Sequence, residues 1–566
     1  MIGPFELRRV RRQVNSTPRA AGRRSVRRLR PVGGFRGLIA TVPHVELRQQ
    51  NIDRLSGGTF DVLVIGGGIN GAVTAAALAA RDISVAMVER SDFASFTSQE
   101  SSNLIWGGFK YLENYELKLV WDLCTSRNLM MKSYPSRIKE IDFLATLDQT
   151  APFPVALAAL GSVGYWGIGR FATKSPRFYT AKGIEKAEPL VNTATAKGGI
   201  RYADAYLPDN DARFVWEYVR TALDDGATAV NYCSVDKAEQ VDGGWKVEVT
   251  DTISGEVHTV SAKAIVNAAG PFVDGLNDDM DLQTEHRIVY SKGIHLIVPK
   301  LTEAERVLAF FDDTGRLFYV IPMAHRSVIG TTDTRTDNPS EGVLDEDRDF
   351  LLEQINARLD LDTPLTKADI ISERCGVRPL VVKNDGNDRT DVDWTSLSRK
   401  HEIETDKEKK IITIFGGKLT DCLNVGDEIT EELASIGIKG RKAARDWFGE
   451  PGQAEWETFL AAATVVGLDR RPDVEHADTV AEVVWRRHGR AAHRVLELIA
   501  EDPTLAEPAL ANSDLLRAEL PVMAEREMIV RPDDFLRRRT KLALITHRDD
   551  LGADPGMAEV NATFGF

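Results

Sequence analysis

The sequence predicts an α/β fold: a Rossmann-like dinucleotide-binding domain with an inserted β-rich substrate domain and a C-terminal helical domain. Three observations predict it. An apolar run of strand length, Asp61-Val-Leu-Val-Ile65, leads into Gly66, Gly67, Gly68 and Gly71 and then into the Ala-rich stretch Ala72–Arg81. Two more glycine-ended apolar runs follow far downstream, Ile265-Val-Asn-Ala-Ala-Gly270 and Ile411-Ile-Thr-Ile-Phe-Gly-Gly-Lys418. Past residue 440 the chain changes to helical segments rich in Ala, Glu and Arg.

Residues 1–36 hold eleven Arg against one acidic residue, Glu6. With Ser, Pro and Gly and little apolar content such a stretch cannot pack a core, so a basic tail, 1–55, is expected to be disordered. It also resembles a transit peptide in being Arg-rich and acid-poor, could bind anionic lipid, or could arise from an upstream start codon. It has no apolar segment of the secretory kind.

The first structured unit is Asp61–Ile65, the glycine turn, the Ala-rich helix and a second strand, Ser84–Glu89; its length suits one βαβ start. From Glu113 to Tyr134, Leu117, Val120, Cys124 and Met131 recur at helical spacing before Pro135. Gln149–Gly169 is uncharged, but prolines and glycines interrupt it, and a spanning helix needs ~20 predominantly apolar residues. It is expected to pack in the domain or touch a membrane, not to cross one. The middle of the chain turns β-rich. Val235–Val241 and Trp245–Thr250 flank a turn at 242–244, Ala264–Ala269 reads as a buried strand, and Gly293–Pro299 and Arg316–Pro322 as short ones. A third nucleotide strand from Ile411 leads into a helix over Leu419–Leu433, and further helices are expected over 455–466, 478–488 and 489–501. The expected domains are the 1–55 tail, a dinucleotide domain over 56–440 with an interleaved substrate part (roughly 135–195 and 275–375), and a helical cap over 441–566.

Composition excludes several classes. Hydrophobic residues make up 43% and charged residues 28%, ordinary for a soluble globular chain. The net charge of −14, near −24 outside the basic start, argues against a nucleic-acid partner. Cys124, Cys233, Cys375 and Cys422 are widely separated, without CxxC or His-rich spacing, so neither a disulfide framework nor a metal site is expected.

Gly66-x-Gly68-x-x-Gly71 sits between a strand and a helix, where each glycine has a job: a tight turn, close approach to a pyrophosphate, and tight helix–strand packing. The helix N-terminus then faces the phosphate charge. Glu89 ends the second strand, where ribose hydroxyls need an acceptor. An NAD domain would complete its sheet in a contiguous stretch. Here the sheet is split, with Ala269-Gly270 and Gly416-Gly417 ending strands far downstream. That is the pattern of flavoproteins, so FAD is expected. The helix after Gly417 can aim its positive end at the flavin pyrimidine.

Val64-Ile-Gly-Gly-Gly-Ile-Asn-Gly71, Ser101-Ser-Asn-Leu-Ile-Trp-Gly-Gly-Phe-Lys-Tyr-Leu-Glu113, Gly376-Val-Arg-Pro-Leu380, Phe415-Gly-Gly-Lys-Leu-Thr420 and Leu536-Arg-Arg-Arg-Thr-Lys541 closely resemble, in order and spacing over 57–545, the FAD-dependent glycerol-3-phosphate dehydrogenases, a branch of the glycine-oxidase-like flavoenzymes. The resemblance implies oxidation of sn-glycerol 3-phosphate to dihydroxyacetone phosphate by hydride transfer to flavin N5. It also implies electrons passed to a quinone or another acceptor, peripheral contact with the inner face of the cell membrane, a cytoplasmic location and a homodimer. It places Thr97, Ser98, Ser101, Ser102, Leu419 and Thr420 against FAD, and Lys110, Tyr111, His295, Arg378, Arg399 and Lys418 around the substrate. Such chemistry needs a base for the hydroxyl proton and cations for a phosphate dianion. His295 is the candidate base, with water or Lys418 as alternatives.

The family stretch reads Ser-Ser-Lys-Leu-Ile-His-Gly-Gly-x-Arg-Tyr. Here Asn103, Trp106 and Lys110 stand for its Lys, His and Arg. Lys keeps the charge of Arg but loses the two-pronged fork that fits a phosphate. Two other readings therefore stay open: a related flavin oxidase or dehydrogenase for another phosphorylated polyol, a 2-hydroxy acid or an amino acid, and a flavin-bearing binding protein without turnover. Retention of His295, Arg378, Arg399 and Lys418 speaks against the last.

Overall fold

The computed structural model describes residues 45–113, 115–384, 400–443, 445–472 and 478–566. Among the described residues, two sheets carry the architecture. The first is eight-stranded and runs Glu402–Asp406, Ile411–Phe415, Val257–Asn267, Thr59–Ile65, Val85–Val88, Thr228–Val230, with the hairpin Cys233–Val241/Gly244–Asp251 laid against Val257–Asn267. Its four inner pairings are parallel. Parallel strands are covered on both faces and so read as continuous apolar runs. Val62, Leu63 and Val64 are fully buried accordingly.

Helix Ile69–Ala79 covers one face with ten of its eleven residues buried. Its alanines let it lie close to the sheet, and Gly71 makes the closest approach: a Cβ there would stand 1.8 Å from the Gly66 carbonyl oxygen. The three glycine-ended strands predicted from sequence are thus neighbours in one sheet, although some 350 residues separate the first from the last.

The second sheet has ten strands. Its longest, His286–Pro299, pairs antiparallel with Ser372–Lys383 from His286 opposite Lys383 to Ile297 opposite Ser372. This sheet draws on more of the chain than 135–195 and 275–375. Leu104–Ile105 and Gly198–Tyr206 also belong to it, because Lys139–Leu147 pairs with Gly198–Tyr206 along its whole length.

Two expectations need correction or limitation. The 1–55 tail is too long: Val45–Leu55 is a helix. Ile52 and Leu55 are buried, and Arg48 donates to Asp251 at 2.8 and 3.1 Å, so this segment has both an apolar face and a charge partner that composition does not reveal. Residues 1–44 lie outside the described residues. Within the uncharged 149–169 stretch, Val155–Ile168 is a helix of 14 residues, about 21 Å long at 1.5 Å per residue. No helix among the described residues is long and apolar enough to cross a membrane.

The described residues beyond 450 are mainly helical. Phe459, Val484, Trp485, Ala492 and Val495 centre one core, and Leu520, Met523, Phe535, Val560 and Phe564 a second. A π-helical turn, Asp534–Arg539, carries the arginine run inward instead of to solvent. Arg538 and Arg539 both reach Asp92, at 2.7 and 2.8 Å, and Arg537 donates to the Gln99 carbonyl. The helical region therefore grips the 89–100 loop of the nucleotide domain. Burial alone would raise the Asp92 pKa, but Arg539 and Arg538 outweigh it and hold the carboxylate ionised.

Asp92→Asn should cost about 3–5 kcal/mol, because it leaves two buried guanidinium groups short of their counter-charge. Denaturant unfolding of the holoprotein measures this; a loss under about 1 kcal/mol would place the hold of the helical region elsewhere.

Candidate active site

Two connected spaces lie where the sheets meet. A cleft of ≈ 380 Å³ runs along the carboxyl ends of the parallel strands and contains Gly66, Gly68, Glu89, Thr97, Ser98, Ala269, Gly270, Gly416 and Gly417. A larger cavity of ≈ 1060 Å³ contains Ser101, Ser102, Lys110, Tyr111, His295, Arg378, Lys418, Leu419 and Thr420. Ile69, Thr97, Ser98, Pro379 and Gly417 line both, so one elongated molecule can occupy the two together. Of the residues predicted from sequence, Gly71 lies outside these linings, in the helix–strand contact, and Arg399 lies outside the described residues.

The cleft suits the nucleotide half of FAD. Helix Ile69–Ala79 begins at Gly68 with no side-chain cap, so its N-terminal turn faces the cleft with its positive end. Ser98 Oγ accepts from Ile69 N–H at 3.0 Å and orders that turn. Glu89 Oε2 accepts from Gly67 N–H at 2.7 Å and Oε1 from Ser91 N–H at 2.9 Å. A carboxylate has about four acceptor positions, so two remain for ribose hydroxyls. Burial pushes the Glu89 pKa up despite those two bonds. Arg90 stacks on Phe272 at 3.7 Å and on Phe96 at 4.6 Å at the cleft wall, an arrangement no motif had flagged.

Asn70 is a second residue the sequence reading passed over. Its Nδ2 donates to the Gly416 carbonyl at 2.9 Å, tying the first glycine turn to the last. Its Oδ1 is buried without a hydrogen-bond partner among the described residues, beside Gly417, at the junction of cleft and cavity. An orphaned acceptor there fits a cofactor that supplies a donor. The residues present thus fit FAD, and a motif position between Gly68 and Gly71 was the available signal.

The cavity floor is the His286–Pro299/Ser372–Lys383 ladder. Alternation puts Ser291, Gly293 and His295 on one face with Arg374, Gly376 and Arg378. Arg378 folds across Gly293, where a Cβ would come within 2.0 Å of its Nη2. From there it donates to Thr331 Oγ1 at 2.8 Å and lies 3.4 Å from Asp333 Oδ1. Opposite, Lys418 Nζ donates to Tyr111 OH at 2.6 Å and stands 3.9 Å from the Tyr111 ring centre.

His295 is 1% exposed, and its Nε2 lies 2.9 Å from Ser102 Oγ. Burial first, then the nearby Arg374 and Arg378 charges, hold its pKa well below the usual 6.5, so the ring rests neutral. The three departures from the family stretch separate in space. Trp106 and Lys110 line the cavity. Asn103 does not: it takes a left-handed backbone (φ 57°), donates to the Leu207 and Asp209 carbonyls and accepts from Arg374 at 2.9 Å. Among the described residues no cluster of three or more His, Cys, Asp or Glu could hold a metal.

Behind the Gly416-Gly417 turn lies a group the sequence did not reveal. His401 Nδ1 meets Asp421 Oδ2 at 2.5 Å and its Nε2 meets Glu428 Oε2 at 3.0 Å. Burial would lower its pKa, but the bonds and charges of Asp421 and Glu428 win and raise it. This clamp fixes the start of helix Cys422–Ser435 against the strand beside Lys400, which lines the cavity.

The model of a family described as FAD dependent oxidoreductase matches residues 61–396, and that of the C-terminal domain of alpha-glycerophosphate oxidase matches 451–563. An aerobic glycerol-3-phosphate dehydrogenase of Staphylococcus haemolyticus (strain JCSC1435) is 30% identical over 509 residues, covering 85% of this chain and 86% of its own. One from Staphylococcus aureus (strain USA300) is 28% identical over 524 residues, 89% of this chain and 90% of its own. Among solved structures, the glycerol-3-phosphate dehydrogenase from Bacillus halodurans complexed with FAD aligns at TM-score 0.70 and 24% identity over 92% of this chain and 94% of its own. The L-alpha-glycerophosphate oxidase from Mycoplasma pneumoniae with FAD bound aligns at 0.52 and 18% over 69% of this chain and 98% of its own. At these identities the structural likenesses establish the fold.

Because the folded-state pKa of His401 is raised, its charged form stabilises the fold fully below about pH 6.5, and that stability is lost as pH rises through the folded value. The stability gap between wild type and His401→Gln should therefore shrink as the pH rises above about 6.5. A gap independent of pH, by denaturant titration, would show that the ring acts as a neutral spacer.

Proposed function

Since the chain belongs to the FAD-dependent oxidoreductases, we propose that it oxidises sn-glycerol 3-phosphate to dihydroxyacetone phosphate and passes the electrons to a quinone or another acceptor. The observation that carries this reading is that Lys110, Arg378 and Lys418, together with Arg316 and Lys400, line one cavity that opens into the nucleotide cleft. An anionic substrate can be held there against the end of a bound dinucleotide. The names of the Staphylococcus relatives support glycerol 3-phosphate as that anion.

FAD, when bound, supplies a two-electron acceptor whose N5 takes the hydride from the secondary carbon. The chain's residues do the rest. Arg378 and Lys110 hold the phosphate, Arg378 with its fork already oriented by Thr331 and Asp333. Tyr111, held by Lys418, orients the secondary hydroxyl. His295, neutral at rest, receives its proton. The cavity's apolar walls, Trp106, Leu104 and Leu419 among them, restrict water around the reacting carbon.

The membrane partner is supported by the Val155–Ile168 helix. Ala158, Ser162 and Tyr165 face inward, while Leu157, Leu160 and Val163 are 57%, 69% and 45% exposed. Phe171 is also exposed, and Arg170 stacks over the exposed Trp121 at 4.8 Å. Apolar side chains with a basic flank suit an anionic bilayer surface, on the inner face of the cell membrane.

A second reading, a 2-hydroxy acid or another polyol phosphate, is favoured by one observation: Trp106 and Lys110 both lie in the cavity, where the family carries His and Arg. Anaerobic mixing with sn-glycerol 3-phosphate decides between them. Bleaching of the flavin absorption at sub-millimolar substrate is expected. Failure to bleach, in protein that dithionite still reduces, would move the assignment to another anion.

Arg378→Ala should raise KM roughly ten- to a hundredfold, the loss of about 1.5–3 kcal/mol of charge-assisted hydrogen bonding, while FAD stays bound. An unchanged KM would take Arg378 out of the anion site.

A further inference from the structure

We propose that Ser102 is a catalytic proton relay: the substrate hydroxyl gives its proton to Ser102 Oγ as Ser102 gives its own to His295 Nε2. Ser102 is half-buried and lines the cavity, and its Oγ lies 2.9 Å from Nε2. The imidazole is 1% exposed, and its Nδ1 is buried with no hydrogen-bond partner among the described residues. Nε2 is thus the ring nitrogen with a route to the cavity, and the Ser102 hydroxyl stands on that route. The relay uses the hydrogen bond already in place between Ser102 and the imidazole.

The serine is also held still from both sides. Ser101 N–H donates to Asp211 Oδ2 at 2.8 Å, and Asn103 is fixed by the Leu207 and Asp209 carbonyls and by Arg374. Asn103, one of the departures from the family stretch, thus acts on the site from behind by fixing the backbone next to Ser102.

This inference rests on the reading as an alcohol oxidation. The C–H hydrogen leaves with its two electrons to FAD, the family's cofactor, and the C–O bond becomes C=O. The hydroxyl proton goes to Ser102 Oγ, the Ser102 proton goes to Nε2, and the serine ends the step as a neutral hydroxyl. The charged groups facing the ring are Arg374 and Arg378, both on the paired strand Ser372–Lys383. They disfavour a lasting imidazolium, so the proton returns by the same hydroxyl to solvent once the ketone has left.

The test uses wild-type holoenzyme, Ser102→Ala and Ser102→Thr. Flavin reduction by sn-glycerol 3-phosphate is followed anaerobically in H2O–D2O mixtures, and ring-15N-histidine spectra are recorded without substrate. The wild-type rate should curve with deuterium fraction, as for two protons in flight, and His295 should be the Nδ1–H tautomer. Ser102→Ala should slow reduction by about 10²-fold or more with KM changed less than about threefold, and Ser102→Thr should restore most of the rate. A linear wild-type dependence, an Nε2–H tautomer, or an unslowed Ser102→Ala overturns the relay. If Ser102→Ala loses FAD, the wild-type curvature decides. If glycerol 3-phosphate fails to reduce the wild type, the substrate reading falls, and the tautomer still decides the Ser102–His295 pair.

Discussion

The register between His286–Pro299 and Ser372–Lys383 is the constraint on which the site depends. Side chains alternate along a strand, so a slip of one residue between the two strands would put His295 and Arg378 on opposite faces of the sheet. In the observed register, Gly293 stands opposite Gly376 between the His295–Arg374 and Ser291–Arg378 pairs. The missing side chain of Gly293 is what lets the Arg378 guanidinium lie across the floor. The proposed base and anion clamp are thereby set on a rigid sheet and not on loops.

Buried charge is the second organising theme. Asp92 is surrounded by Arg538 and Arg539, and Asn231 donates to it at 2.9 Å; Arg374 sits fully buried by Ser101 and Asn103. Such groups are costly alone and stable only with partners from distant segments. They therefore act as assembly checks: the 89–104 loop, which carries Thr97, Ser98, Ser101 and Ser102, is shaped only when the helical region and the second sheet are both in place.

The same economy separates the three departures from the family stretch. Trp106 and Lys110 act on whatever occupies the cavity, whereas Asn103 sustains the backbone beneath it. Substitutions adjacent in sequence thus have unlike consequences, one set for specificity and one for the placing of Ser102.

The sequence by itself determined the nucleotide half. Strand, glycine turn, helix and terminal acid lie within about 30 residues, and local propensity with short-range sterics suffices to form them. The glycine-ended strands at 270 and 417 were legible for the same reason, and resemblance identified His295, Arg378 and Lys418 as cavity residues. What only the tertiary structure decided depends on segments far apart in the chain. The Val45–Leu55 helix is ordered by a partner 203 residues away. Asn70 takes its meaning from Gly416, His401 from Asp421 and Glu428, and His295 from Ser102. In each case the function of a polar side chain is set by the atoms it faces in the packed molecule, and that packing is not a property of local sequence.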